Sequence, residues 1–203
     1  MLLALAVAAT LIGIIPDELS RAIDNYHQVE SYAVIIHSTS ANNNQHIQYY
    51  YKKPGFVRMD FIEPHDGAVL IYSPMTRRVN LWPFGVGHFP KLNLHPNNSL
   101  IRGDGGQRID HSDVGTLFSN IRVLAIEGTT ESNPLDPYGM HITITGNKYS
   151  RDDGVHRYEL WLNSKNGFPS KVISYNHQNE VIETVVMENL KVNIQLPEGF
   201  FNP

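Results

Sequence analysis

The sequence contains no cysteine among its 203 residues, which excludes disulfide bonds and thiolate metal ligands. Basic residues are also few, because 16 lysines and arginines stand against 20 aspartates and glutamates and give a net charge of −4. No stretch of the chain clusters its basic residues in the way that binding to a phosphate backbone requires. Nucleic acid is therefore not expected as a partner.

The sequence also lacks the short motifs that accompany common enzyme chemistries. It has no Gly-x-Ser-x-Gly turn for a nucleophilic serine and no glycine loop that would hold a phosphate group. Ten histidines invite a metal-site hypothesis, and His37 is predicted to face His46 across a hairpin, but no His-x-x-x-His pair is present. We expect neither an enzyme nor a cofactor, and no metal site.

The apolar run at residues 1–15 carries no charged side chain and is too short to cross a bilayer as a helix, which needs about 20 apolar residues. Its small residues Ala6, Ala8 and Ala9 are typical of the region near a signal-peptide cleavage site, although no basic residues precede the run. The alternative is a helix of the mature protein. We predict a signal-like or anchor segment at residues 1–15 and a single domain at residues 16–203.

Two segments have the spacing of amphipathic helices. Leu19, Ala22, Ile23, Tyr26 and Val29 recur at helical intervals after a Pro-Asp-Glu start, which suits a helix N-terminus. The second segment covers roughly residues 112–125, and its apolar positions are Val114, Leu117, Phe118, Ile121 and Leu124. The apolar face of each helix needs a partner surface.

The remainder of the chain is dominated by strand patterns. Between Ile47 and Trp82 the side chains alternate between apolar and polar, with breaks at turn residues such as Pro54-Gly55, and the pattern returns after Gly139. Residues 83–111 are predicted to be a long excursion over the rim of the sheet, and residues 128–138 a mobile loop. About nine to eleven strands joined by short turns predict a mainly β (α+β) fold. Its single, strongly curved antiparallel sheet would form an unclosed half-barrel with helices over the concave face.

Several ordered motifs resemble the outer-membrane lipoprotein-sorting (LolA/LolB-like) family over most of residues 17–201. They include YYYKKPGFVRMDFIEP followed by LIYSPMTRRVNLW, with a Lys-Pro-x-x-x-Arg hairpin at Lys53, Pro54 and Arg58. They continue with a Leu-Trp-Leu strand before Phe168-Pro169 and close on a Leu-Pro-x-x-Phe motif that ends at Phe200. The segment at residues 83–108 has no counterpart among the motifs of that family.

This resemblance implies a non-enzymatic carrier of the periplasm or cell envelope that holds lipoprotein acyl chains or lipid in a hydrophobic cavity. A membrane-bound donor or acceptor protein is a further partner that it implies, and we expect a monomer. The predicted cavity-lining residues are Tyr49, Tyr51, Val57, Met59, Phe61, Ile71, Leu160 and Leu162. The predicted lid helices contribute Leu19, Ile23, Tyr26, Leu117, Phe118 and Ile121.

Two other classes of function remain open at this point. The first is an envelope sensor or interaction module that uses the same half-barrel to bind a protein partner, with the cavity filled by its own side chains. The second is a hydrolase that would use paired carboxylates, for example Asp60 with Glu63 or Glu127 with Glu131. For the hydrolase the sequence offers no nucleophile motif, and these carboxylates fit solvated strand edges and loops better.

Overall fold

The computed structural model describes residues 15–103, 106–133, 136, 139–147 and 154–203, which form two α-helices and eleven β-strands. The helices are α1 (Asp17–His27) and α2 (Val114–Glu127). The strands are β1 (Ser31–Ser40), β2 (Asn44–Lys52), β3 (Phe56–Glu63), β4 (Val69–Ser73), β5 (Arg78–Trp82), β6 (Leu92–Leu94), β7 (Thr129–Asn133), β8 (Met140–Thr145), β9 (Arg157–Leu162), β10 (Pro169–Tyr175) and β11 (Val181–Val192).

All eleven strands belong to one antiparallel sheet in the order β6-β5-β4-β3-β2-β1-β11-β10-β9-β8-β7. Most neighbours in the sheet are also neighbours in the chain, as expected for short hairpin connections. The exception is the pairing of β1 with β11, which joins the two halves of the chain at the centre. Because β6 and β7 lie at opposite edges and do not pair, the sheet stays open. The predicted unclosed half-barrel is confirmed.

Side chains alternate between the two faces of the sheet, and only one face meets the helices. The row formed by Tyr51, Val57, Tyr72 and Val79 runs across β2 to β5 on that face. These residues share one core cluster with Leu19 of α1 and with residues of α2. The face that carries this row is therefore the inner, helix-covered face.

Two connections contain strands that the sequence did not predict. The excursion at residues 83–111 includes β6, where Leu92 and Leu94 pair with Leu81 and Val79 of β5. The predicted loop at residues 128–138 includes β7, which pairs with β8. Both strands lie at sheet edges and have only three and five residues, so neither is long enough to display a clear alternating pattern.

The outer face carries a second, smaller core beneath the C-terminal segment. Val69, Ile71 and Trp82 are buried together there, with Val86 and Phe201 packed against them. Phe200 lies beside Arg58, whose guanidinium donates a hydrogen bond to the Phe200 carbonyl at 3.0 Å.

Of the N-terminal segment that we predicted as a signal or anchor, residues 1–14 lie outside the described residues. Ile15, the first described residue, packs against the main core. Within the described part of the chain, neither helix has the length and apolarity needed to span a membrane.

Candidate functional site

The inner face gathers seven of the eight predicted lining residues and all six predicted lid residues in one hydrophobic cluster. The buried members are Tyr49, Tyr51, Val57, Leu160, Leu162, Leu19, Tyr26, Phe118 and Ile121. The partly buried members are Met59, Phe61, Ile23 and Leu117. The predicted cavity side and the predicted lid side therefore meet directly. In this state the helix side chains occupy the space above the sheet.

Ile71 does not belong to this set, and its prediction as a lining residue is wrong. In the β3–β4 ladder Ile71 lies opposite Arg58, whereas Leu70 and Tyr72 lie opposite Met59 and Val57. Ile71 is accordingly buried in the outer-face cluster. The run Val69-Leu70-Ile71-Tyr72 is apolar on both faces, so alternation alone could not assign its sides.

Tyr26 of α1 lies at the centre of an aromatic cluster between the helices and the sheet. Its ring centroid is 5.9 Å from those of Phe118 and Phe168, 6.4 Å from that of Tyr51 and 6.5 Å from that of Tyr32. We call these five residues the aromatic plug, since they fill the space between the helices and the inner face of the sheet. Spacing of this kind is typical of favourable edge and tilted ring contacts.

Close approach of the two helices depends on Gly115 at the start of α2. A Cβ atom at this position would lie 2.6 Å from the Tyr26 ring, too close for any larger residue without a shift of the plug. The missing side chain thus lets the Tyr26 hydroxyl reach the N-terminus of α2. This contact links α1 to α2.

Three tyrosine hydroxyls fix that N-terminus. Tyr26 donates a hydrogen bond to the Asp113 carboxylate at 3.1 Å. The Tyr32 hydroxyl accepts from the Val114 backbone N–H at 3.2 Å, and the Tyr49 hydroxyl lies 3.1 Å from the Ser112 hydroxyl. These bonds connect α2 to α1, β1 and β2 through polar groups inside an apolar cluster, where each unpaired partner would be costly.

The environment of these hydroxyls holds them in the neutral form. Burial raises the pKa of Tyr26 far above its ordinary value, and the neighbouring Asp113 carboxylate raises it further. Burial likewise raises the pKa of Tyr32 and of Tyr49. The phenols therefore act as hydrogen-bonding groups and not as acids or bases at neutral pH.

Asp113 combines two roles, and its replacement tests the link between the helices. Its carboxylate caps α2 by accepting from the Gly115 and Thr116 N–H groups at 2.8 and 3.1 Å, in addition to the Tyr26 hydroxyl. We expect Asp113→Ala to lower the free energy of unfolding by about 2–4 kcal/mol, since it removes an N-cap and the acceptor of a buried hydroxyl. Urea denaturation measures this change.

Asp113→Asn is the matched control, because the amide oxygen still accepts the same bonds. We expect it to retain more than half of the stability that Asp113→Ala loses. Equal losses in the two variants would show that the carboxylate charge, and not hydrogen bonding, stabilises this junction.

Sequence reasoning missed several members of the inner face. Tyr32 and Phe168 belong to the aromatic plug, and Ile142 and Ile144 of β8 are fully buried in the same cluster. The alternation of Tyr32 with Val34 in β1 and of Ile142 with Ile144 in β8 carried the signal that could have identified three of them. Phe168 was noted as part of a turn motif only.

The inner face becomes more open toward the end that carries the β1–β2 and β3–β4 turns. One row across the sheet there consists of Phe61, Ile47, Ile36 and Met187. Phe61, Ile36 and Met187 are only partly buried, in contrast to the plug. We call this end of the half-barrel the mouth.

Other sequence-based candidates do not assemble into a site. His37 and His46 do face each other, with ring centroids 4.2 Å apart, as predicted. No cluster of three or more His, Cys, Asp or Glu residues with metal-binding geometry occurs in the described part of the chain. Asp60 is engaged by Arg58 at 2.7 Å, and Glu127 and Glu131 are exposed.

Comparison with protein-family models and with curated protein sequences finds no match to this chain. Solved structures do show a similar fold. A structure of an uncharacterized conserved protein from Thermus thermophilus matches with a TM-score of 0.55 at 11% identity, covering 92% of this chain and 91% of that chain. The MucA/MucB complex of Pseudomonas aeruginosa contains a chain that matches with a TM-score of 0.50 at 15% identity, covering 92% of this chain and 60% of that chain.

A putative outer membrane lipoprotein-sorting protein domain from Vibrio parahaemolyticus is also similar, with a TM-score of 0.44 at 11% identity, covering 91% of this chain and 95% of that chain. At these identities the likeness concerns the fold alone.

Proposed function

We propose that this protein is a non-enzymatic carrier of the cell envelope that binds the acyl chains of a lipid or lipoprotein on the inner face of its half-barrel. The observation that carries the proposal is the sealing of that face by helix side chains, above all the aromatic plug, and not by closure of the sheet. The sequence motifs that resemble lipoprotein-sorting proteins support the same role. Residues 1–15 would then serve as the export signal or anchor.

A carrier has to release its cargo as well as bind it, and the plug meets this requirement. Burial of an acyl chain contributes about 0.8 kcal/mol per methylene group, so a long chain could contribute on the order of 10 kcal/mol before any rearrangement is counted. Displacing Tyr26 and Phe118 from the sheet costs part of that free energy, since their ring contacts are lost. Cargo therefore competes with internal contacts, and its binding stays reversible.

A second candidate is an interaction module that binds a protein partner, which is one of the alternatives that the sequence left open. The similar fold found in the MucA/MucB complex favours it, and so does the dense filling of the inner face by the protein's own side chains. In that case the inner face would remain closed and the partner would bind elsewhere. Lipid binding in solution separates the two candidates.

Phe61 at the mouth offers a direct test of the carrier. It lies on the inner face but is only partly buried, so a charged side chain can reach solvent there without unfolding the domain. We expect Phe61→Glu to remain folded and to lower the affinity for a fluorescent acyl probe at least tenfold, about 1.4 kcal/mol. Probe titration measures the affinity, and circular dichroism checks folding.

The neighbouring Ile62 is the control, because it is 37% exposed and tolerates charge for the same reason. We expect Ile62→Glu to bind the probe as the wild type does. Outright unfolding of Phe61→Glu would contradict an accessible mouth and indicate a dry, permanent core. Native mass spectrometry of the protein from a bacterial envelope should show co-purified acyl lipid, and a clean apoprotein would favour the interaction module.

A further inference from the structure

The segment that follows β11 crosses the outer face of the sheet and is held there at two separate places. At the first place, the Asn193 backbone N–H donates a hydrogen bond to the Ser31 carbonyl at 2.6 Å. At the second place, the rings of Phe200 and Phe201 lie against β2 and β3 and are only partly buried. Residues 197–199 between the two places are exposed. The second contact can therefore open while the first keeps the segment attached.

The surface that receives the two rings combines a cation with aromatic and apolar groups. The Phe200 ring meets the Tyr50 ring in an edge contact at 4.8 Å, and the Arg58 guanidinium lies 4.4 Å from the centre of the Phe200 ring. The Phe201 ring lies 5.4 Å from the Phe56 ring and packs against the outer-face cluster. Such ring and cation contacts are favourable. We call this surface, which consists of Tyr50, Phe56, Arg58 and Ile71, the outer patch.

The outer patch is formed by the sheet and not by the segment that lies on it. Arg58 donates a hydrogen bond to the Asp60 carboxylate of its own strand at 2.7 Å, so its guanidinium is held in place without Phe200. The same guanidinium donates to the Phe200 carbonyl at 3.0 Å. Departure of the two rings would uncover the apolar cluster around Ile71 and free this donor for another carbonyl. An empty patch therefore favours a replacement with the same chemistry.

Basic side chains flank the outer patch. Lys191 of β11 lies in the same row across the sheet as Tyr50, on the far side of β1. Lys52 lies two residues beyond Tyr50 in β2 and therefore on the same face. Both lysines are exposed. The resident segment has the complementary charge, because Glu198 precedes its two rings in the run Pro-Glu-Gly-Phe-Phe. Complementary charge of this kind favours an acidic ligand over a basic one.

We propose that the outer patch is a docking site for a segment of another protein that carries a carboxylate followed by two adjacent aromatic side chains. Phe200 and Phe201 occupy the site as an internal substitute, and the partner displaces them. The seated segment shows the chemistry that the patch accepts, namely rings against Tyr50 and Arg58 and a backbone carbonyl at the guanidinium. The outer patch lies on the opposite face of the sheet from the aromatic plug. The site thus goes beyond the carrier function and does not depend on it.

A fluorescent peptide with the sequence of residues 194–203 tests the site, because it offers the same rings from a separate molecule. The wild type should bind this peptide weakly, since its own segment competes. Phe200→Ala combined with Phe201→Ala should raise the affinity for the peptide at least about tenfold, and adding Arg58→Gln should remove that gain. The same peptide with alanine at both ring positions should not bind. Fluorescence anisotropy measures the affinity, and circular dichroism checks folding.

Gly199→Val weakens the same contact without removing a ring. Gly199 has a φ of +76°, and a Cβ atom there would meet the Asn202 carbonyl oxygen at an ordinary 3.8 Å. Valine therefore fits in space but strains the turn that places the rings, and the affinity for the peptide should rise about tenfold. Gly154→Val is the matched control, because its φ of +77° imposes the same strain in the other half of the sheet. It should bind the peptide as the wild type does.

The docking site would be overturned if folded variants without the two rings bound the peptide no better than the wild type. Binding that persists without Arg58, or without the rings of the peptide, would equally overturn it, since it would indicate non-specific adhesion. If the double alanine variant unfolds, Gly199→Val decides, and an affinity equal to that of Gly154→Val overturns the site. Gly199→Val should bind the acyl probe as the wild type does, so the carrier function is tested separately.

Discussion

Phe118→Ala is expected to weaken the fold strongly and at the same time to strengthen lipid binding. Phe118 is only 3% exposed and packs against Tyr26 at the centre of the aromatic plug. Loss of a buried phenyl ring costs about 3–5 kcal/mol, because apolar burial is lost and a cavity remains. If acyl cargo replaces the plug, the same cavity lowers the cost of binding. Urea denaturation with and without monooleoylglycerol measures both effects.

The lipid should therefore stabilise Phe118→Ala more than it stabilises the wild type. A ligand at a hundred times its dissociation constant adds about 2.7 kcal/mol, so a tenfold gain in affinity is visible as a further increment of about 1.4 kcal/mol. Ile71→Ala is the matched control, since Ile71 is equally buried but belongs to the outer-face cluster. We expect it to destabilise the protein without changing the amount by which the lipid raises the free energy of unfolding. If the lipid stabilised Phe118→Ala and the wild type equally, this would contradict replacement of the aromatic plug by the acyl chain.

Alkaline pH should destabilise the protein steeply. Burial raises the pKa of Tyr26, Tyr32 and Tyr49 above the ordinary value near 10, so the folded state keeps three protons that the unfolded state releases. Their contribution to stability is complete below about pH 10 and is lost as the pH rises above it. Three such groups decrease the free energy of unfolding by about 4 kcal/mol per pH unit. Urea denaturation at several pH values measures this slope.

The hydroxyl of one tyrosine can be removed to check the origin of this slope. Tyr49→Phe retains the ring contacts and removes one titrating group, so the slope should decrease by about 1.4 kcal/mol per pH unit. The ultraviolet absorbance of ionised tyrosine should rise in the wild type together with the loss of near-ultraviolet circular dichroism. Gradual ionisation of all tyrosines in a protein that stays folded would show that the buried hydroxyls are accessible to solvent.

The sheet was largely predictable because its strands are long, alternating and separated by turn residues. The faces of β2, β3 and β9 follow from this alternation, and Tyr49, Val57 and Leu160 lie together in the core cluster of the inner face. Both helices were located from their apolar stripes, since each packs on one side only. Where a segment is apolar on both faces, as in β4, the periodic signal disappears, and Ile71 was misplaced for that reason.

The polar parts of the site depend on tertiary contacts that no local pattern encodes. The bonds from Tyr26 to Asp113 and from Gln107 to Glu183 join residues separated by 87 and 76 positions in the chain. Nothing near Glu183 in the sequence indicates that it would lie beside Ser38 of the first strand. Such pairs become visible only after β1 and β11 are placed side by side.

The central pairing of β1 with β11 has a consequence for how this polypeptide folds. Residues 31–40 pair with β2 on one side, but their second ladder cannot form until residues 181–192 have been synthesised, so the inner core cannot be completed by a partial chain. Contacts between such distant segments form slowly, since the loop between them must first be closed. The newly made polypeptide therefore remains in an incompletely folded form until its last strand is available.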